Sequence, residues 1–265
     1  MDVNGGKRIM NFTDNMVLVC TGRDTARAAG SGLKVLHLCL GVTENGALRR
    51  TQLPTAKARS YLGLCDLPRQ LQTVNAPRIA ADLTYEAKRT EALGVFADFE
   101  RDVPVCRELL AAVDKALFEA DIPFYVPIAS RQAVQHATLT VDTAISGGSL
   151  TERVSSLQGM YGAKRIAAFL HPVSSDFVLP SETPDGTVLS PEERQALLNR
   201  TGSQTFFSRE LCAKYFTYTD ENSRAHFVLF DDDTTMQAKL AQLSGCGVRT
   251  VFALYPDAER LLNLP

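Results

Sequence analysis

The chain has 265 residues, of which 45% are hydrophobic, and its formal net charge is −2. Because this charge is small and the lysines and arginines are scattered, we expect no binding to nucleic acid or to an anionic membrane. No apolar run reaches the about 18 residues that a membrane-spanning helix needs.

The six cysteines form no CxxC pair, and no cysteine and histidine spacing is typical of zinc. We interpret them as small buried residues in a reducing compartment. The less favoured interpretation is a catalytic cysteine beside His37 or His171. We expect neither a metal nor a cofactor.

Residues 1–14 lack the apolar segment of a signal peptide. We interpret them as an N-terminal extension, with Met10 as an alternative start, and assign residues 15–265 to one domain. Without a signal peptide, we expect the protein to be cytoplasmic.

Short apolar segments alternate with amphipathic segments along this domain. The predicted strands are 15–20, 33–42, 58–66, 94–100, 122–129, 137–145, 164–173 and 248–256, with an extra strand near 226–230. The predicted helices are 76–94, 103–121, 150–162, 190–200 and 233–247.

Two of the predicted helices carry start signals. Ser190 followed by Pro191 and Glu193 predicts an N-cap, a first-turn proline and a capping box. In "FDDDTT" (230–235), we favour Asp233 as a helix cap over a calcium site.

Apolar strands that alternate with helices indicate a parallel sheet covered on both sides. Eight such units in about 260 residues predict a (β/α)8 TIM barrel as a single domain. A doubly wound open sheet is the alternative, but no GxGxxG or P-loop supports it. A long, polar insertion after the seventh strand, from about 171 to 225, should form a wall of the site.

The fourth predicted strand ends in two acids. Phe96, Asp98 and Glu100 alternate along it and should share the inward face, with Glu100 at the C-terminal end, where barrel active sites lie. Neighbouring buried carboxylates raise the pKa of one of them, which creates a proton donor near neutral pH. The structural alternative is that the acids cap helix ends or pair with Arg89 and Arg101.

The segment "LGVFADFE" resembles the fourth-strand signature DGxDxDxE of glycoside hydrolase family 18, the chitinase-like barrels. Gly94, Asp98 and Glu100 match this pattern, while Leu93 and Phe96 stand where the family has its first two acids. Further segments resemble the family in the same order along the chain, at 33–49, 147–179 and 213–257.

The resemblance implies that Glu100 protonates the glycosidic oxygen. It implies that Asp98 positions and polarises the 2-acetamido group of the substrate, which attacks the anomeric carbon. It also makes Asp142 a candidate substrate-binding residue. Tyr125 and Tyr255 are candidate sugar-stacking residues, because aromatic rings pack well on apolar sugar faces.

Other positions depart from the family pattern. Val141 stands where the family has a tyrosine that holds the acetamido group, and the region of Leu254 stands where it has a tryptophan under the sugar. The chain has no tryptophan at all. Arg131 and His171 are further candidates for ligand contact.

The leading prediction is therefore a divergent family 18-type glycoside hydrolase, an enzyme that acts on N-acetylglucosamine-containing glycans. The alternative is a catalytically inactive barrel that binds carbohydrate or serves as a scaffold. A third hypothesis is an unrelated barrel enzyme that uses Asp98, Glu100 and Asp142 for metal or acid/base chemistry.

Overall fold

The computed structural model of the protein describes residues 15–50, 60–99, 101–180 and 186–262. Its strands are β1 (Met16–Cys20), β2 (Lys34–Val42), β3 (Leu48–Arg50), β4 (Ser60–Cys65), β5 (Val95–Asp98), β6 (Phe124–Pro127), β7 (Thr138–Asp142), β8 (Ile166–Leu170), β9 (Ser174–Leu179), β10 (Thr187–Val188), β11 (Phe206–Ser208), β12 (Ala213–Thr219), β13 (Ala225–Phe230) and β14 (Val251–Leu254). Its α-helices are α1 (Thr25–Gly30), α2 (Ala76–Arg89), α3 (Pro104–Glu119), α4 (Leu150–Tyr161), α5 (Pro191–Thr201), α6 (Asp233–Gly245) and α7 (Tyr255–Leu262).

Eight parallel strands close into a barrel, in the order β1, β2, β4, β5, β6, β7, β8 and β14. Closure is visible at β1, which pairs in parallel with both β2 and β14. The short β3 adds an antiparallel edge to β2. The predicted (β/α)8 TIM barrel is confirmed, and each of its eight strands lies within a predicted segment.

The barrel strands alternate between two cores. Residues that face outward pack with the surrounding helices in one large apolar cluster. Residues that face inward form a second cluster, whose buried members are Val17, Val19, Leu36, Tyr61, Phe96, Tyr125, Ala167 and Phe252. Aromatic rings dominate this interior, and the Phe96 and Phe252 centroids lie 4.9 Å apart. The interior is therefore a packed core, and a ligand has to bind above it at the mouth.

Gly94, which precedes β5, has a packing reason to be glycine. A Cβ atom there would lie 2.8 Å from the carbonyl oxygen of Pro123 and 3.0 Å from the ring of Tyr61. Any side chain would push apart the neighbouring strand or the interior ring. Close packing in the barrel therefore requires a glycine at this position of the "LGVFADFE" segment.

The insertion between β8 and α6 folds as a second sheet. Its five strands are antiparallel in the order β10, β9, β13, β12, β11, and α5 packs on one face through Leu197. The predicted insertion after the seventh barrel strand and the extra strand near 226–230 are confirmed. The other four strands of this sheet were not predicted.

The helix start signals are confirmed in one case and shifted in the other. Ser190 accepts a hydrogen bond from the backbone N–H of Glu193, whose side chain accepts one from the N–H of Ser190. The prediction that Asp233 caps α6 is wrong by one residue, because Asp232 forms the capping box with Thr235. Within the described residues, no helix has both the length and the apolar character that crossing a bilayer requires.

Candidate active site

Inward-facing residues at the C-terminal ends of the strands form the rim of the barrel mouth. Each lies two positions beyond an interior residue, so that strand alternation directs its side chain to the mouth. They are Cys65 on β4, Asp98 on β5, Pro127 on β6, Asp142 on β7, His171 just after β8 and Leu254 on β14.

Asp98 lies on the predicted face and is the last residue of β5, whereas the predicted strand ran to residue 100. The three preceding residues of β5 are buried, whereas Asp98 is exposed. It is in register with Cys65 on β4. Burial and the charge of Asp98 raise the pKa of the Cys65 thiol, which therefore stays protonated and gives no support to a catalytic cysteine. Glu100, the predicted proton donor, lies outside the described residues.

The two arginines of the structural alternative are engaged with other carboxylates. Arg101 donates to Asp66 at 3.1 Å and to the carbonyl oxygen of Leu67. Arg89 donates to the buried Glu86 at 3.0 Å. The N-cap residue of α3 is Val103, whose side chain makes no capping hydrogen bond.

Asp142 and His171 form a polar pair on the rim. Nδ1 of His171 lies 3.3 Å from Oδ2 of Asp142, and both side chains are about half exposed. The hydrogen bond to Asp142 raises the pKa of His171 against the lowering effect of its burial. His171 is thus biased towards its cationic form.

Thr143 fixes the backbone that carries this histidine. The N–H of His171 donates to Oγ1 of Thr143 at 3.0 Å, and the same hydroxyl donates to the carbonyl oxygen of His171 at 3.2 Å. Thr143 is completely buried. The ends of β7 and β8 are thereby held in one arrangement.

The two candidate tyrosines do not offer open rings to a sugar. Tyr255 is fully buried among the outward-facing residues, so its prediction as a sugar contact is wrong. It begins α7, and Leu254, one residue earlier, is the residue that faces the mouth. Tyr125 lies in the barrel interior, where its ring packs edge-on against Tyr61 and Phe252.

The structure also places Val141, which departs from the family pattern, and the candidate Arg131. Val141 is fully buried and faces the helices, so its strand position does not point to the mouth. Arg131 is exposed in the 3-10 helix Ile128–Ala133 and donates to the carbonyl oxygen of Ile128 at 3.4 Å. Among the residues that the structure describes, no group of three or more His, Cys, Asp or Glu side chains could hold a metal ion.

A cavity of about 560 Å³ lies beside the His171 side of the rim. The N-terminal ends of α6 and α7 and the insertion helix α5 enclose it, and its lining includes Asp257, Arg194 and Arg260. Burial raises the pKa of Asp257, and Asp257 in turn contributes to the raised pKa of His171. This cavity and the rim are therefore electrostatically linked.

Solved structures resemble this fold, whereas the sequence itself matches no protein-family model and no curated protein. A chitinase from Chromobacterium violaceum superposes with a TM-score of 0.63 at 14% identity, over 91% of this chain and 93% of the other. The spore cortex-lytic enzyme SleL of Bacillus cereus gives 0.62 at 14% identity, over 94% and 74% of the two chains. A family 18 chitinase from Cycas revoluta, solved in complex with (GlcNAc)4, gives 0.57 at 10% identity, over 91% and 94%.

The chain therefore has the fold of the glycoside hydrolase family 18 barrels. At these identities the likeness concerns the fold.

Proposed function

We propose that this protein is a family 18-type glycoside hydrolase that acts on N-acetylglucosamine-containing glycans. The observation that carries the proposal is the position of Asp98. This carboxylate is exposed at the mouth end of β5, in a chitinase-like barrel whose sequence keeps the Gly94, Asp98 and Glu100 pattern.

In the proposed reaction, Glu100 donates a proton to the glycosidic oxygen as the bond to the anomeric carbon breaks. The acetamido oxygen of the substrate attacks that carbon, and Asp98 accepts a hydrogen bond from the acetamido N–H and stabilises the positive charge that develops. Water, deprotonated by Glu100, then opens the cyclic intermediate. Both carboxyl groups are regenerated at the end.

The Asp142 and His171 pair is proposed to bind substrate across the mouth from β5. It offers a carboxylate oxygen as acceptor and an imidazolium N–H as donor within one rigid unit. Sugar hydroxyls can use both. Because the pair is half exposed, it does not have to be uncovered before a ligand binds.

The decisive test is hydrolysis of fluorogenic chitobiose glycosides. We expect Glu100→Gln and Asp98→Asn each to lower kcat/KM by at least about 100-fold, the range for general acid–base groups. The matched control is Asp102→Asn, since Asp102 is a nearby exposed acid that pairs with Arg107. Full activity in both site variants would contradict the proposal.

A catalytically inactive, sugar-binding barrel is the second candidate, and two observations favour it. Phe96 fills an acid position of the family signature with a buried ring, and Leu254 stands at the mouth in place of an aromatic floor. If wild-type protein binds chitin oligosaccharides in calorimetry but releases no fluorophore, this candidate replaces the enzyme.

A further inference from the structure

Two arginines face the cavity of about 560 Å³ that lies beside the rim. Arg194 comes from the start of the insertion helix α5, and Arg260 comes from α7 of the barrel. Burial lowers the pKa of Arg194, and the positive charge of Arg260 lowers it further. The two guanidinium groups therefore repel each other, and an anion bound between them would be stabilised by both.

The guanidinium of Arg194 is held in place without being used. It is partly buried, and its Cζ lies 4.5 Å from the centroid of the Phe230 ring. Within the described residues this guanidinium makes no hydrogen bond and no ion pair. Stacking on a ring fixes the plane of a guanidinium while its five N–H donors stay free. Arg194 can therefore donate hydrogen bonds to a ligand in the cavity.

Arg260 is fixed by one edge only. Its Nε donates to Oδ1 of Asp233 at 2.9 Å, and its side chain is 54% exposed. The terminal N–H groups of Arg260 make no hydrogen bond to the part of the chain that the structure describes. The N-terminal ends of α6 and α7 border the same cavity, and the positive end of each helix dipole adds to the field of the two arginines.

The four aspartates of the lining do not cancel this positive field. Three of them are paired: Asp231 with the buried Lys239, Asp232 with Lys214, and Asp233 with Arg260. The fourth, Asp257, has no ion pair among the described residues. Burial raises its pKa against the lowering effects of Arg260 and His171, so its carboxyl group is biased towards the neutral form. A neutral carboxyl can donate a hydrogen bond to an anion, and the charge left over is that of Arg194.

We infer that this cavity binds the phosphate group of a small phosphate monoester. A tetrahedral phosphate presents oxygens in more than one plane, so it can accept hydrogen bonds from two guanidinium groups on different helices. The two oxygens of a carboxylate are filled by one bidentate fork. The cavity is larger than a phosphate ion, which leaves room for the organic part of the ligand. Because the described lining shares no residue with the rim, the inference does not depend on the proposed hydrolase activity.

The test is calorimetry at low ionic strength with four probes: inorganic phosphate, acetate, glucose 6-phosphate and glucose. The variants are Arg194→Gln, Arg194→Lys and Arg260→Gln. The matched control is Arg200→Gln, since Arg200 lies in the last turn of the same helix α5, is exposed, and is outside the cavity lining. Circular dichroism and urea denaturation verify the fold of each variant.

We expect the wild type to bind phosphate and glucose 6-phosphate, and to bind acetate at least about tenfold more weakly and glucose not at all. Arg194→Gln should weaken phosphate binding by at least about tenfold, the range for a hydrogen bond to a charged group. Arg194→Lys should also weaken it, because an ammonium keeps the charge but loses the fork. Arg200→Gln should match the wild type. If Arg194→Gln does not fold, Arg260→Gln, at a more exposed position, carries the same test.

Three results would overturn the inference. The first is that the wild type binds neither phosphate compound. The second is an equal loss in Arg194→Gln and Arg200→Gln, because phosphate would then respond only to the overall charge. The third is tighter binding of acetate than of phosphate, which would identify a carboxylate site. Asp98→Asn should bind phosphate as the wild type does, so that a failure of the proposed hydrolase activity and a failure of this site are told apart.

Discussion

Two positions on β5 lie in opposite environments. Phe96 is 2% exposed and packs with Phe252 and Phe169 inside the barrel, whereas Asp98 stands at the open mouth. A carboxylate at position 96 would be surrounded by aromatic rings, where an unpaired charge is costly. The acid of this strand therefore lies at the end that a ligand can reach, and position 96 offers no carboxylate to interact with Asp98.

The Asp142 and His171 pair leads to a prediction about protonation. Because the hydrogen bond to Asp142 is the largest contribution that raises the pKa of His171, Asp142→Asn should lower that pKa. The measurement is an NMR titration of the imidazole resonances in both proteins. An unchanged His171 pKa in Asp142→Asn would contradict the expected role of the pair.

The same shift fixes the sign of the pH effect on stability. The folded-state pKa of His171 is raised, so the stabilisation by the pair is fully present below the unfolded-state value of about 6.5 and is lost as pH rises through the folded-state value. Since both side chains are half exposed, the free energy of unfolding should differ between wild type and Asp142→Asn by only about 0.2–1 kcal/mol at low pH.

Among the elements, the barrel strands could be predicted because each is an apolar run bounded by turn residues. The insertion strands could not, since β10 and β11 have only two and three residues and gain their order from pairing with β9 and β12. Strand ends were the other difficulty. Tyr255 looked like part of the last strand, but α7 begins there, which turns its side chain into the outer core.

The alternation of side chains along β5 was enough to predict that Asp98 shares the inward face with Phe96. The pairing of Asp142 with His171 could not be predicted from the sequence, because Asp142 ends β7, His171 follows β8, and the two meet only through the register of these strands. Glu100 stays a prediction.

A buried ion pair holds α6 against the segment that carries His171. Lys239 on α6 donates to Asp231, and both side chains are completely buried. The same carboxylate accepts a hydrogen bond from the N–H of Val173, two residues after His171. The pair therefore connects a barrel helix to the rim.

We predict that Lys239→Met lowers the free energy of unfolding by about 3–5 kcal/mol, because it leaves the buried Asp231 charge without its partner. Urea denaturation checks this value. Lys214→Met is the control, since Lys214 pairs with Asp232 near the surface and should contribute at most about 1 kcal/mol. A loss for Lys239→Met no larger than that of the control would contradict the structural role of the pair.

In the whole molecule, the proposed sugar site at the barrel mouth lacks an aromatic surface. The aromatic rings inside the barrel pack against one another, and the rim above them offers carboxylates, an imidazole and the aliphatic Leu254. On the insertion, Phe206 is 50% exposed, whereas the rings of Tyr215 and Phe227 are partly buried against an apolar cluster. The rim residues named above therefore offer polar groups and Leu254 but no aromatic ring, whereas the family pattern has a tryptophan beneath the sugar.

The lack of an aromatic ring on the rim predicts that one substitution strengthens sugar binding. Leu254 faces the mouth and is 38% exposed, so a larger side chain can project into it. Leu254→Trp should place a stacking surface under the ligand and tighten binding of N-acetylglucosamine oligomers by about threefold to tenfold. Because the chain has no tryptophan, the variant carries a single indole, whose fluorescence should change as the oligomer binds. Met160→Trp, on the exposed side of α4, is the control and should show neither effect. If calorimetry shows that the oligomer binds while the emission of Leu254→Trp stays constant, the sugar does not rest over β14, and the predicted stacking position is wrong.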